Sequence, residues 1–140
     1  MIIHLRKSLL IILLIFSSAF RVFAPSNNLW AVIDPRPVEP FKKLIRAIGL
    51  VETVCDTLAY NPVEEAAGFF QIRPIRLKDY NKRTGNNFAM KDLFNYEISE
   101  KIFLYYASQI GPYNFEKIAR NWNGSGPRTI YYWKRVKKYI

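Results

Sequence analysis

Between residues 41 and 51 the apolar side chains Phe41, Leu44, Ile45, Ile48 and Val51 recur at intervals of three and four. That is the pattern of a helix with one face packed on a core. Glu52 comes four residues after Ile48 and falls on the same face, at the helix's end. A carboxylate there is costly to ionise unless paired, because burial disfavours the charged form. A carboxyl kept partly protonated near neutral pH is what a general acid needs. The competing reading is a glutamate that turns outward where the helix stops, and position alone leaves both open.

The residue inventory narrows the chemistry. With 140 residues, half of them hydrophobic and 16% aromatic, the chain has material for one core and one domain. Low-complexity tracts and internal repeats are absent from it, so disorder and solenoid architectures are not expected. Cys55 is the single cysteine, which rules out an internal disulfide framework and a cysteine-rich zinc site; it is expected as a buried thiol. His4, the single histidine, lies in the N-terminal leader. A Ser-His-Asp or Cys-His site in the mature domain is therefore excluded, as is a histidine-ligated metal. No Gly-rich phosphate loop occurs. Carboxylates remain as the acid–base groups, and no metal or cofactor is expected.

Residues 1–24 read as a secretory signal. His4, Arg6 and Lys7 form a basic start, and residues 9–16 are an apolar run of signal-peptide length. Cleavage is expected after Ala19 or Ala24; the rival reading is an uncleaved membrane anchor through residues 9–24. Residues 25–37, with Pro35 and Pro37, read as a linker, and 38–140 as the folded domain. The formal charge is +10; losing Arg6, Lys7 and Arg21 with the leader leaves 18 basic against 11 acidic residues, or +7. Such a surplus suits an anionic partner. Export makes nucleic acid an unsuitable one and directs the expectation to an acidic wall polymer.

The domain reads as mainly α. A first helix is expected from near Pro40 to Val51, followed by an irregular stretch with a turn at Asn61-Pro62 and a short extended piece over residues 68–72. Pro74 opens a second helix that Gly85 stops. A long helix over residues 96–110 should turn Phe94, Ile98, Ile102, Tyr105 and Tyr106 inward, and Gly111-Pro112 ends it. Phe115, Ile118, Ala119 and Trp122 are again at helical spacing, closed by Asn123-Gly124. The last helix, from Pro127, puts Ile130, Trp133, Val136 and Ile140 on one side and crowds Arg128, Lys134, Arg135, Lys137 and Lys138 on the other.

Glu52-Thr53, Asn61-Pro62, the segment Gly68-Phe69-Phe70-Gln71, and Trp122-Asn123-Gly124-Ser125-Gly126-Pro127 stand in an order and spacing that resembles the soluble lytic transglycosylase family of the lysozyme-like superfamily. The resemblance covers about residues 41–136. It implies an α+β lysozyme-like domain whose short irregular or β segment forms a glycan cleft, and a monomeric exported enzyme of the periplasm or cell envelope. The implied reaction cleaves the bond between N-acetylmuramic acid and N-acetylglucosamine in peptidoglycan. Glu52 would protonate the glycosidic oxygen and then, as a carboxylate, deprotonate the C6 hydroxyl that closes a 1,6-anhydro ring. The family usually has Ser where Thr53 stands, so the hydroxyl is kept. Thr53, Tyr60, Gly68, Gln71, Trp122 and Asn123 are the substrate-binding candidates.

The candidates also have physical readings of their own. Gly68 lets backbone approach a sugar closely. Gln71 offers an amide to an acetamido group or holds the Glu52 loop. Trp122 and Tyr60 can stack on sugar faces, against core and plain surface respectively, and Asn123-Gly124 is a cleft donor or a helix stop. Glu64 and Glu65 are either a solvated acidic turn or a second carboxylate across the cleft, with Asp56 a further candidate. A retaining hydrolase needs its second carboxylate about 5 Å away and an inverting one about 6.5–9.5 Å, whereas internal attack needs only one. The class without catalysis is a wall-binding protein on the same fold.

Overall fold

The computed structural model describes Glu39–Ile140. The expected signal, its anchor alternative and the linker lie outside the described residues. Helix α1 (Lys42–Thr53) follows the first apolar stripe: Phe41, Leu44, Ile45 and Ile48 are buried, and Val51 packs half-buried against them. Its last turn carries Glu52 and Thr53, two residues beyond the end expected from the stripe. The amides of Val54 and Cys55 both return to the carbonyl of Gly49, with Val54 at φ 56° and Cys55 at φ 66°. That reversal turns Cys55 out into solvent. The expectation of a buried thiol is therefore corrected: the left-handed cap that ends α1 carries Cys55 away from the core.

A small antiparallel pair follows, β1 (Tyr60–Asn61) with β2 (Ala66–Ala67), in the register Tyr60 to Ala67 and Asn61 to Ala66. Residues 68–72 are not an extended piece. Ala67 and Ile72 exchange both backbone hydrogen bonds, at 3.0 and 3.1 Å, and so close a tight turn over residues 68–71. Gly68 enters that turn at φ 75°, with the carbonyl of Leu93 lying where a Cβ would be. The turn drives Phe69 and Phe70 inward. The Phe69 ring occupies the space above Gly49, and Phe70 stacks on Phe103 with centroids 4.8 Å apart.

Helix α2 (Pro74–Thr84) starts with proline in its first turn and stops at Gly85 in the left-handed conformation, as its boundary residues dictate. A 3-10 turn at Met90–Phe94, not foreseen in the periodicity, is started by the Asp92 carboxylate accepting from the amide of Ala89 at 2.8 Å. Helix α3 (Tyr96–Ser108) is capped by the Asn95 side chain, which accepts from the amides of Glu97 and Ile98. Its most buried residues are Ser99, Ile102, Phe103 and Ala107. Ile102 is buried as expected, and Phe94, Ile98, Tyr105 and Tyr106 pack half-buried against the core; Ser99, Phe103 and Ala107 are the buried residues the spacing did not single out. The buried Ser99 is satisfied there by its hydroxyl donating to the Leu93 carbonyl.

Helices α4 (Phe115–Asn123) and α5 (Thr129–Val136) pack on each other, and α5 also packs on α1. In α4 the expected residues Ile118, Ala119 and Trp122 are buried. In α5 the buried face is Thr129, Tyr132 and Val136, while Ile130 and Trp133 are half-buried and Ile140 is exposed. A 3-10 turn at Lys137–Tyr139 finishes the chain. The domain is mainly helical, with five α-helices and one two-stranded sheet among the described residues. None of the described helices is long and apolar enough to cross a membrane.

Gly68 provides a direct test of this arrangement. Gly68→Ala should lower stability in urea unfolding by about 3 kcal/mol or more, since it combines a backbone collision with left-handed strain. Gly85→Ala, which meets open space, should cost only about 1–2 kcal/mol.

Candidate active site

Five parts of the fold meet at one open cleft of about 300 Å³. The end of α1 contributes Glu52, the hairpin contributes Asn61 and Glu64, and the 68–71 turn contributes Gln71. The start of α2 adds Arg73, Ile75 and Arg76, and the end of α4 adds Trp122, Asn123 and Gly124.

Glu52 does not turn outward. It is half-buried, and the Tyr132 hydroxyl donates to its Oε1 at 2.7 Å. Burial holds its carboxyl above the ordinary glutamate range, and the nearby Glu64 charge adds to this. The Tyr132 bond and the cations Arg135 and Arg73 pull the other way without cancelling the rise. Burial likewise pushes the Tyr132 phenol up, with the Glu52 charge reinforcing it, so the tyrosine remains a donor. The Arg135 guanidinium also donates to the Val51 carbonyl at 2.9 Å and secures α5 to the end of α1.

Gln71 sits at φ 50° in the cleft wall. Its Nε2 donates to the carbonyls of Ala59 and Gly68, at 3.3 and 3.1 Å. Two acceptors on one side fix the amide's orientation and leave Oε1 for a ligand. Asn61 accepts from the amides of Val63 and Glu64 through Oδ1, which shapes the hairpin turn and directs Glu64 to the cleft. Asn123 lines the opposite wall.

Other candidates have different places. The Thr53 hydroxyl is shared between the carbonyls of Gly49 and Phe69, at 3.3 and 3.2 Å, and ties the 68–71 turn to α1 without lining the cleft. Gly68 makes its close approach to the Leu93 carbonyl, inside the protein. Trp122 is only 6% exposed; its Nε1 bonds the Phe70 carbonyl at 3.1 Å and the Arg76 guanidinium lies 4.3 Å over its ring. It borders the cleft as a buttress, with a covered face. Tyr60 is exposed and lies outside the cleft lining. Glu65 is exposed and likewise outside it, while Asp56 is exposed and accepts from the Leu58 amide. Glu64 is in the cleft, paired to Arg73 at 3.2 Å.

Tyr132, Arg73 and Arg76 were not foreseen. Thr129, Tyr132 and Val136 form a stripe as regular as the one chosen for α5, and a buried phenol needs a partner; that was the available signal. Among the described residues, the non-glycine residues in the left-handed region are Val54, Cys55, Glu65 and Gln71. All four lie in the segments that frame Glu52 and the 68–71 turn. Such conformations cost about 1–3 kcal/mol each and gather where a site is built. Among the described residues no three His, Cys, Asp or Glu side chains come together as metal ligands would. No known protein family, curated protein or solved structure matches this chain.

Two outcomes follow from the electrostatics. Tyr132→Phe removes a bond that favours the ionised carboxylate, so the Glu52 pKa should rise further, read by carbon-13 NMR titration of the side-chain carboxyl. A carboxyl whose folded pKa lies above its unfolded value contributes stability below the unfolded pKa and loses it as pH rises through the folded one. Glu52→Gln should therefore gain in Tm relative to wild type as pH increases from 4 to 8, measured by thermal melts across that range.

Proposed function

We infer that the protein is an exported peptidoglycan lytic transglycosylase with a lysozyme-like fold, acting on glycan strands of the cell envelope as a monomer. One observation carries this reading: a single carboxyl with a raised pKa, hydrogen-bonded at Oε1, opens on a cleft where Asn61, Gln71 and Asn123 converge. These residues come from the same segments whose order in the sequence carries the family resemblance.

The chemistry assigns Glu52 two successive states. Protonated, it gives its proton to the glycosidic oxygen as the bond from C1 of N-acetylmuramic acid breaks. The resulting carboxylate takes the proton of that sugar's C6 hydroxyl as its oxygen bonds to C1. The 1,6-anhydro product forms without consuming water, and an attacking group held within the substrate has a large effective molarity. Burial supports the first state of Glu52 and the Tyr132 hydroxyl supports the second. Gln71 Oε1 and Asn123 are suited to the acetamido and hydroxyl groups of the flanking sugars.

Hydrolysis is the second reading, favoured by the presence of Glu64 in the same cleft. Its carboxylate is half-exposed and already paired with Arg73, which suits a solvated wall residue better than a water-activating base. Mass spectrometry of muropeptides released from purified peptidoglycan separates the readings. The expected result is anhydro-muropeptides from wild type and a loss of about 10²–10⁴-fold in Glu52→Gln. Reducing-end products that vanish in Glu64→Gln would replace the transglycosylase with a hydrolase. Wall binding without release would replace both with a binding protein.

A further inference from the structure

Arg73 is the less committed of the two guanidiniums in the cleft. Its backbone is fixed, because Ile72 is bridged to Ala67, Pro74 follows, and the Arg73 carbonyl accepts the first amides of α2 from Arg76 and Leu77. Its side chain is 46% exposed and meets Glu64, 49% exposed, through one Nε contact of 3.2 Å. The other contact is a long one, from Nη2 to the Asn123 carbonyl at 3.5 Å. A guanidinium fork matches a carboxylate through two parallel bonds, whereas Glu64 meets it as an ion pair with a nearest approach of 3.2 Å. Exposed single-contact pairs are weak, so a ligand carboxylate can displace Glu64 at little cost.

Arg76 differs in kind. Its guanidinium is spent on the carbonyls of Asn121 and Trp122, at 3.3 and 3.0 Å, and on the Trp122 face. It remains a fixed cation in the wall. When Glu52 is protonated, the ionic groups lining the cleft are two guanidiniums, Arg73 and Arg76, against one carboxylate, Glu64. An uncharged glycan leaves that excess unanswered. A carboxylate next to the scissile bond answers it, in the protonation state that starts the reaction.

We propose that Arg73 is a specificity residue that binds a carboxylate of the muramyl unit beside Glu52, exchanging Glu64 for the substrate. This rests on the glycan reading of the cleft. Two sources share the chemistry: the lactyl carboxylate of a muramic acid without its peptide, and a carboxylate of the peptide stem. Neither is present in a chitin oligomer, which keeps the acetamido groups.

Binding by the full chain carrying Glu52→Gln isolates recognition from turnover. Three ligands are titrated calorimetrically: a stem-bearing muropeptide tetrasaccharide, the same glycan with stems removed by an amidase, and chitotetraose. Adding Arg73→Gln should weaken one or both carboxylate-bearing ligands by about 10-fold, the scale of a charge-assisted bond, while chitotetraose changes by less than 2-fold. The affected ligand identifies the carboxylate. Arg73→Lys should restore only part of the loss, and Glu64→Gln should tighten the carboxylate-bearing ligands by removing their competitor. Equal losses on all three ligands, or none on the carboxylate-bearing ones, would overturn the proposal while leaving the glycan cleft intact. Failure of the Glu52→Gln parent to bind any of the three would overturn the glycan reading and the proposal with it. Absence of cleavage by wild type, with discrimination by Arg73 retained, would count against the enzyme alone.

Discussion

The indole Nε1 of Trp122 donates to the Phe70 carbonyl across 3.1 Å, inside the core. That bond connects the 68–71 turn to the last turn of α4. Gln71 follows Phe70 and Asn123 follows Trp122, so the same bond sets the distance between two walls of the cleft. Aromatic packing surrounds it: Phe70 lies nearly parallel to Phe103, and Trp122 meets Phe103 edge-on with centroids 5.1 Å apart. A buried carbonyl left without its donor costs about 1–3 kcal/mol. Trp122 is therefore a hydrogen-bonding core residue first, and its place beside the cleft follows from that role.

Arg76 extends the same joint. Helix α4 ends with carbonyls that have no partner in the next turn, and Arg76 supplies donors to those of Asn121 and Trp122 while covering the indole face. Desolvation lowers the Arg76 pKa, yet a guanidinium keeps its charge under such conditions. The start of α2 is thereby fixed to the end of α4 by a cation the helix terminus favours. Arg73, one turn earlier, inherits a rigid backbone and a side chain held only by the Glu64 ion pair and a long contact to the Asn123 carbonyl. Two arginines three residues apart thus have opposite characters, one structural and one available.

Much of the helical frame was legible because its signals are local. Pro74 and Gly85 bound α2, and the Phe41–Ile48 apolar spacing fixes the inner face of α1 and places Glu52 beside it. The cleft-lining residues Asn61, Gln71 and Asn123 were legible as parts of an ordered series of motifs. What periodicity missed was decided by partners distant in the chain. Tyr132 is 80 residues from Glu52, and nothing in the spacing of α5 ranks it above Trp133. Arg73 and Arg76 carry no signal in the spacing, and their partners appear only when α4 is packed against them. The turn at residues 68–71 looked extended because Phe69 and Phe70 favour strands, but the paired bridge of Ala67 with Ile72 overrides that preference.

Local rules fail in this chain mainly around one place, and each failure is offset by a bond to another part of the fold. A glutamate on a core-facing stripe is satisfied by a tyrosine from α5. The β-branched Val54, in the left-handed region that β-branched residues avoid, follows a threonine whose hydroxyl anchors α1 to the 68–71 turn. Gln71, also left-handed, is held there by two carbonyls from neighbouring loops. An accidental groove between helices would have no reason to collect these costs. Sequences that specify a fold agree with it at most levels and depart where function requires it. The first of these departures bears on the carboxyl itself: burial raises the Glu52 pKa, and the Tyr132 hydroxyl opposes that rise. On the proposed transglycosylase reading, where one carboxyl would both give and accept a proton, opposing influences of that kind suit it: a fully solvated glutamate would lose the proton early and a fully buried one would not release it.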